Sequence, residues 1–136
     1  MGEAAELGTR YLQALSAGDV DGAVELLSDG CEFLTPMGPI PDRAMVRGYL
    51  AAFDSAFPGA RYEIVRSVES GGTAAVEGVY RGSHAGTLAM PDGNSLPPTG
   101  RTVVAPFAVF FEASGGRLTS HRPYWDLAGF MAQLTG

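Results

Sequence analysis

The sequence predicts an α+β fold in which helices pack on one face of a curved antiparallel sheet. Two observations lead to this class. Apolar residues recur at helical spacing over residues 3–57, and from residue 61 onward they alternate with polar residues as in β-strands. Short glycine-containing turns at 71–72 and 114–116 join the later strands, and strands joined by tight turns run antiparallel. The 136 residues have the length of a single domain covering residues 1–136.

Three helices are expected in the first part of the chain. Their ranges are 3–17, 20–27 and 43–57. Gly18 ends the first helix, where a left-handed residue is favoured, and Asp19 and Asp42 precede the other two as N-caps. The residues of the third helix that are expected to face inward are Met45, Tyr49, Ala52, Phe53 and Ala56.

Strands and one short helix are predicted for the rest of the chain. The strands cover 31–34, 61–70, 73–83, 101–113 and 117–126, and the helix covers 127–134. Gly78 and Gly82 lie within a strand, as expected where a sheet bends. The segment 35–41 contains three prolines and is predicted to be irregular. The long segment 84–100, rich in Gly and Pro, is consistent either with a lid over a pocket or with an exposed hairpin extension.

The composition argues against several kinds of partner. A net charge of −6, with scattered Lys and Arg, predicts no nucleic-acid partner and no binding to an anionic membrane surface. No apolar run is long enough to span a membrane. The single Cys31 excludes an internal disulfide, and the two distant histidines have no carboxylate at ligand spacing, so no metal site is expected. A free thiol and an N-terminus without a basic signal region favour a cytoplasmic location.

Reactive side chains are concentrated at the end of the last predicted strand. His121, Tyr124, Trp125 and Asp126 lie within six residues, together with an arginine, which predicts the floor of a pocket rather than an ordinary core strand. Because side chains alternate along a strand, His121 and Trp125 share one face while Asp126 takes the other. A bulge at Pro123 would bring His121 and Asp126 to the same face; without it, only one of the two lines the pocket.

Four segments distributed over nearly the whole chain carry a family resemblance. They are YLQALSAGDVD at 11–21, RGSHAG at 81–86, LPPTGR at 96–101 and YWDLAG at 124–129. Together with the order of elements, they resemble the NTF2-like superfamily, and most closely its SnoaL-like polyketide cyclase and ketosteroid-isomerase-like branch. The resemblance implies a cone-shaped fold, in which a curved sheet packs on three N-terminal helices and a short helix ends the chain. It also implies a homodimer formed through the outer face of the sheet.

The resemblance argues against two activities within the superfamily. Ketosteroid isomerases combine a tyrosine, which Tyr11 matches, with two acids, whose positions fall on Thr35 and Ala108 in this sequence. Neither substitute can do acid–base work. Limonene-type epoxide hydrolases need an Asp-Arg-Asp set, and the strand 101–111 has no carboxylate. SnoaL-like cyclases use an Asp near the end of the last strand, which Asp126 matches, but a second polar residue of their long strand has no counterpart.

The resulting hypothesis gives catalytic roles to Asp126, His121 and Tyr11. Asp126 would take a proton next to a carbonyl group, and the other two would stabilise the developing oxyanion. The side chains expected to contact the substrate are Trp125, Tyr49, His84, Phe107 and Thr35. Structural alternatives stay open for six of these residues. Asp126 is a good N-cap for the last helix, and His84 could stabilise the loop that follows it. Tyr11 and Tyr49 also suit core positions, Thr35 suits a structural role, and His121 could lie on the outer face.

Two functions follow from these residues. The first is a cofactor-independent enzyme that acts on a small hydrophobic carbonyl compound, as a polyketide cyclase performing an intramolecular aldol reaction or as a related isomerase or dehydratase. The second is a non-catalytic module that binds a small ligand or a partner, which the missing acids at Thr35 and Ala108 favour. Both functions require an aromatic-rich pocket, and neither requires a metal or a cofactor.

Overall fold

The structure is a computed structural model that describes residues 2–89 and 93–136. The helices in these ranges are α1 (Glu3–Ser16), α2 (Val20–Glu25), α3 (Arg43–Ala56) and α4 (Leu127–Thr135). The strands are β1 (Leu27–Thr35), β2 (Gly38–Ile40), β3 (Arg61–Ser70), β4 (Thr73–Ser83), β5 (Leu88–Ala89), β6 (Ser95–Leu96), β7 (Thr102–Ser114) and β8 (Arg117–Trp125). The predicted α+β class, with three helices before the main strands and a short helix at the end, is confirmed.

Among the described residues, a six-stranded sheet runs in the order β2-β1-β8-β7-β4-β3. The pairs β3–β4, β4–β7 and β7–β8 are antiparallel. The short turns at 71–72 and 114–116 predicted this for β3–β4 and β7–β8. β1 runs parallel to β8, so the expectation of an antiparallel sheet is wrong at this position. The turn rule does not apply to this pair, because β1 and β8 are joined through most of the chain rather than by a tight turn.

Three local expectations need correction. Pro39 lies in β2, a short edge strand rather than an irregular segment, and an edge tolerates the missing N–H of proline. The predicted loop 84–100 contains the small β5–β6 hairpin, and part of it, residues 90–92, falls outside the described residues. On helix α3, Met45 is 55% exposed rather than inward and Val46 is buried, whereas Ala56 is buried as predicted.

The helices begin where the sequence predicts caps. The Asp19 carboxylate accepts a hydrogen bond from Gly22 N at 2.9 Å, and the Asp42 carboxylate accepts one from Met45 N at the same distance. Each bond satisfies one of the free N–H groups of a first helical turn. In the two ranges that the structure describes, no helix combines the length and the hydropathy needed to cross a membrane.

The core lies between the inner face of the sheet and the helices. Burial alternates along β7, and its inward residues are Val103, Ala105, Phe107, Val109 and Phe111. Helix α1 packs on this face and brings its own buried side chains Leu7, Tyr11 and Leu12. The contact is close because Gly8 faces the Phe111 ring, and a Cβ at this position would lie 2.8 Å from Phe111 Cε2.

Register shifts in three strand pairs, β1–β8, β3–β4 and β7–β8, accompany the bending of the sheet around this core. In β3 the shift leaves Val65 without a partner on β4, because Ile64 pairs with Gly78 and Arg66 pairs with the adjacent Glu77. A Cβ on Gly78 would lie 2.7 Å from Phe107 Cζ and would also overlap the Glu63 carbonyl oxygen, so only glycine fits at this bend. In β8 the shift falls at Thr119. The curvature leaves space between the sheet and the helices.

The packing of α1 is tested by two matched glycine substitutions. In Gly8→Ala, the methyl group overlaps the buried Phe111 ring, and we expect the free energy of unfolding to fall by about 1–3 kcal/mol. In Gly48→Ala on α3, the new Cβ meets no atom within 4 Å, and improved helix propensity should raise stability by about 0.5–1 kcal/mol. Urea denaturation measures both, and an equal gain in the two variants would contradict the close packing at Gly8.

Candidate active site

A cavity of about 90 Å³ lies between the inner face of the sheet and helices α1, α3 and α4. A single buried water needs roughly 10–15 Å³ of such volume, so the cavity has room for a small organic ligand. Its walls are formed by Tyr11, Leu12, Leu15, Phe33, Tyr49, Leu50, Phe53, Tyr62, Tyr80, Ala105, Phe107, Val109, His121, Pro123, Trp125 and Phe130. These described wall residues include no Asp, Glu, Lys or Arg.

His121 is the titratable base in this wall. Its imidazole stacks on the Phe33 ring with centroids 4.0 Å apart, and the Tyr11 and Phe111 rings contact it edge-on at 5.5 and 5.8 Å. The side chain is 7% exposed, and its Nδ1 is buried without a hydrogen-bond partner among the described residues. The ring nitrogen that a ligand in the cavity can reach is therefore Nε2.

Burial keeps the His121 ring neutral. Removing the imidazolium from water lowers the pKa of His121 to about 4. At neutral pH the ring carries a single proton. Because Nδ1 is enclosed by protein, Nε2 can accept a hydrogen bond or a proton when the ring proton is on Nδ1.

Tyrosine hydroxyls supply the other polar groups of the cavity. Four of the five tyrosines in the chain line it, namely Tyr11, Tyr49, Tyr62 and Tyr80. Burial raises the pKa of Tyr49 to about 12 and is also the main reason why the pKa values of the other three are raised. All four are therefore protonated at neutral pH. Within residues 2–89 and 93–136 their hydroxyls form no hydrogen bond, so they are free to donate to a ligand.

Five residues of the predicted site come together in the cavity wall. They are Tyr11, Tyr49, Phe107, His121 and Trp125. Phe107 and Trp125 are register partners on neighbouring strands, which places an aromatic pair at the end of β8. Trp125 also contacts the Phe130 ring of α4 edge-on, with centroids 5.4 Å apart. The cluster thus joins α1, α3, β7 and β8 around one space.

Asp126 lies outside the cavity wall. Its side chain is exposed, and Oδ1 accepts a hydrogen bond from Gly129 N at 2.9 Å at the start of α4. Alternation along β8 is unbroken from His121 to Trp125, since Pro123 pairs with Val109 in register, so the alternative with a bulge at Pro123 is wrong. Asp126 therefore takes the capping position, and the geometry gives the predicted catalytic role no support.

His84 and Thr35 are also absent from the cavity wall. His84 is fully buried, stacks on Phe57 with centroids 5.2 Å apart, and accepts a hydrogen bond at Nδ1 from Thr99 N at 3.2 Å. The bond to Thr99 holds the two ends of the loop that follows β4 together. The Thr35 hydroxyl donates to the Gly38 carbonyl at 2.8 Å and closes the β1–β2 turn. Both residues therefore have local structural contacts, and the structure gives their predicted contacts with substrate no support.

The other face of β8 is polar and points away from the cavity. Arg122 bonds the carboxylates of Glu32 at 3.2 Å and Glu112 at 2.9 Å, as expected for an arginine paired with surface acids.

Burial raises the pKa of the Cys31 thiol to about 11, with a further rise from Glu32, so the thiol is protonated at neutral pH. In the described part of the chain, no group of three or more His, Cys, Asp or Glu side chains could hold a metal ion.

Three residues near the cavity were missed in the sequence. Tyr62 and Tyr80 are direct register partners on β3 and β4, with ring centroids 4.9 Å apart. The glycine turn at 71–72 was the signal from which the pairing of Tyr62 with Tyr80 could have been predicted. Counting back from that turn gives the wrong partner, however, because the unpaired Val65 shifts the register by one residue. The charge of Asp54 on α3 contributes to the raised pKa values of both tyrosines, and only the packing of α3 on the sheet shows this proximity.

The sequence model of the SnoaL-like domain matches residues 9–121. The chain belongs to the SnoaL-like domain family. No curated protein matches the sequence at a significant level.

Solved structures similar to this SnoaL-like protein share its fold. A candidate SnoaL-like polyketide cyclase from Jannaschia superposes with a TM-score of 0.84 at 18% identity, over 98% of this chain and 92% of that chain. A candidate polyketide cyclase from Pseudomonas putida superposes with a TM-score of 0.77 at 24% identity, over 98% of both chains. A protein from Catenulispora acidiphila with a ketosteroid isomerase-like fold, in complex with trimethylamine, superposes with a TM-score of 0.77 at 20% identity, over 96% of this chain and 92% of that chain. The fold is NTF2-like.

The lowered pKa of His121 predicts a specific loss of stability in acid. Between pH 6.5 and about 4 the unfolded chain binds a proton that the folded chain does not, so the stability from neutral His121 is complete above pH 6.5 and is lost as the pH falls. Over this pH range the free energy of unfolding should fall by about 3 kcal/mol because of His121. We expect His121→Phe, which keeps a ring beside Phe33, to show a correspondingly weaker pH dependence of unfolding free energy. Identical pH dependence in both proteins would contradict the neutral imidazole.

Proposed function

We propose that this SnoaL-like protein is a cofactor-independent acid–base enzyme that acts on a small, uncharged carbonyl compound. The reaction that fits the site best is the intramolecular aldol reaction of a polyketide cyclase, with isomerisation or dehydration as related outcomes of the same proton transfer. One observation carries the proposal: His121, whose Nδ1 is enclosed by protein, lines an aromatic cavity together with four tyrosines whose hydroxyls bond to no described residue.

His121 is the proposed base, in place of Asp126. In the first step, Nε2 takes a proton from the carbon between two carbonyl groups, and the electrons of the broken C–H bond form an enolate. The enolate carbon then bonds to a second carbonyl carbon of the same molecule. The resulting alkoxide takes the proton back from Nε2, which restores the neutral ring. Proton and charge balance without any added reagent.

A base of low pKa is sufficient for this proton transfer, because the cavity stabilises the imidazolium and the enolate when they form together. An isolated imidazolium is disfavoured here, which is why the pKa of His121 lies near 4. When the enolate forms, however, the imidazolium acquires a negative partner in a medium of low dielectric constant, where their attraction is stronger than in water and offsets part of the lost hydration. The Tyr11 hydroxyl, whose ring contacts the His121 ring, is placed to donate a hydrogen bond to the enolate oxygen.

The apolar walls provide orientation rather than charge recognition. Trp125 and Phe107 offer flat surfaces on neighbouring strands, and no charged side chain of the described residues lines the space. A charged substrate would lose its hydration on entering and would gain no ion pair. A neutral, planar carbonyl compound gains from aromatic contact and brings its reacting atoms together, which lowers the entropic part of the barrier.

Three variants test these assignments with an aryl triketone whose carbonyls lie on alternate carbons. The readouts are exchange of its acidic C–H protons with deuterated solvent, followed by NMR, and formation of the cyclised product. We expect His121→Gln to slow both by about 10²–10⁴-fold, the usual contribution of a general base. Tyr11→Phe should slow cyclisation by about 10²-fold through loss of an oxyanion donor.

Asp126→Asn separates the two candidate bases. Asparagine caps a helix nearly as well as aspartate, so the fold should be kept, and the exposed position predicts unchanged exchange and turnover. Loss of turnover in a stable Asp126→Asn protein, with His121→Gln still active, would return the catalytic role to Asp126.

A non-catalytic ligand-binding module is the second candidate function. The observation that favours it is the lack of any carboxylate in the cavity wall among the described residues. Aromatic walls also attract organic cations through their π faces, and the similar protein from Catenulispora acidiphila is in complex with trimethylamine. Ligand-dependent change in Trp125 fluorescence, with proton exchange no faster than in buffer, is the result that this function predicts and the enzyme does not.

We also propose that the protein forms a homodimer through the outer face of the sheet. Val68, Phe110 and Tyr124 are exposed on this face, and the Arg66–Glu77 ion pair lies beside them. Burial of such a patch in a second copy would remove apolar surface from water.

Charge placed on this patch should prevent the association. We expect Val68→Glu to convert a dimer to a monomer in native mass spectrometry and in sedimentation analysis. Met45→Glu is the matched control, because Met45 is equally large and exposed but lies on α3, away from the sheet. A wild-type monomer, or a Val68→Glu protein that remains dimeric, would contradict the proposed interface.

A further inference from the structure

A second cavity, of about 60 Å³, lies on the other side of three aromatic side chains that also line the first. The shared side chains are Tyr49, Phe53 and Phe130. The remaining walls come from Met37, Ala52, Leu88, Ala89, Leu127 and Met131. The cavity beside His121 is called the inner cavity below, and this second one is called the outer cavity.

The partition between the two cavities is one layer of side chains thick, because the same three rings form a wall of each. Tyr49 and Phe53 meet edge-on with centroids 5.2 Å apart, and Phe53 and Phe130 lie 6.4 Å apart at an angle of 52°. Phe53 contacts both of the other rings and is therefore the central member. It is also only partly buried, whereas Phe130 is 2% exposed. A ligand that spans both cavities would therefore pass beside Phe53.

The two cavities differ in chemistry. His121 and Tyr11 line only the inner cavity, and the polar side-chain group among the described walls of the outer cavity is the Tyr49 hydroxyl. Met37 and Met131 contribute flexible thioether chains, which adapt to ligands of different shape. Side-chain hydrogen-bonding groups of the described residues are therefore concentrated in the inner cavity. A ligand that matches this distribution has a carbonyl group at one end and a hydrocarbon chain at the other.

We propose that the inner and outer cavities form one bipartite site for an aryl or cyclic carbonyl compound that carries an unbranched hydrocarbon chain. The carbonyl end occupies the inner cavity, the chain passes Phe53, and its end occupies the outer cavity. Phe53 and Ala52 then determine the chain length that is accepted. The inference rests on the proposed function in one respect: it takes the carbonyl end to lie beside His121.

A series of alkyl aryl ketones tests the proposal directly. Acetophenone, butyrophenone and hexanophenone differ only in chain length, and fluorescence of Trp125, the single tryptophan, reports binding in the inner cavity. Each methylene buried in the outer cavity should tighten binding to the wild-type protein by about fourfold. A chain that stays in water would add nothing.

Ala52→Leu fills the outer cavity without changing a residue of the inner wall. We expect it to bind acetophenone as the wild type does and to lose most of the gain for hexanophenone. Ala44→Leu is the matched control, because it makes the same change at an exposed position of the same helix that lines neither cavity. Phe53→Leu, which thins the partition, should increase the preference for hexanophenone over acetophenone.

The outcomes separate this proposal from the proposed function. Equal gains with chain length in the wild type and in a folded Ala52→Leu protein would overturn the bipartite site, as would a wild-type series with no gain. In either case, binding of acetophenone and proton exchange dependent on His121 would leave the proposed function standing. An unchanged preference in Phe53→Leu would overturn the role of Phe53. If no ketone binds, both proposals fail.

Discussion

The site depends on the parallel pairing of β1 with β8. This pairing places Phe33 in register with His121, and the two rings stack with centroids 4.0 Å apart. Tyr11 from α1 and Phe111 from β7 contact the imidazole edge-on. Enclosure removes the ring from water, and this loss of hydration is the main cause of the lowered pKa of His121. With β1 absent from this edge, a face of the ring would meet solvent, and its pKa would return toward the ordinary value.

The same loss of hydration acts on every titratable group of the cavity. It lowers the pKa of His121 and raises the pKa of Tyr11 and Tyr49, because in each case it disfavours the charged form. The result is a cavity whose described hydrogen-bonding side chains are neutral. Such a cavity offers no ion pair to a charged ligand, whereas opposite charges that arise together within it attract each other strongly. Close packing at Gly8 and the bend at Gly78 maintain the shape on which this enclosure depends.

Several parts of the fold and the site could be predicted from local patterns. The change from helical to alternating spacing identified the main helices and strands, and short polar residues identified the caps at Asp19 and Asp42. Alternation along β8 placed His121 and Trp125 on one face, as the structure has them. Two roles were predicted for Asp126, because a carboxylate before a helix satisfies both a capping pattern and a family catalytic pattern, and the structure shows the cap. Tyr62 and Tyr80 were missed because an unpaired residue in β3 changes the register of the hairpin.

The sequence by itself determined the α+β class, the order of the elements and the inward face of β8, because each of these follows from the spacing of residues close together in the chain. The tertiary structure decided the neutrality of His121, the gathering of four tyrosines and the division of the space into inner and outer cavities. These features arise between residues that are distant in sequence, through the parallel β1–β8 pair and the packing of α1 and α3 on a bent sheet. Burial, which controls the chemistry of the site, is a property of that packing.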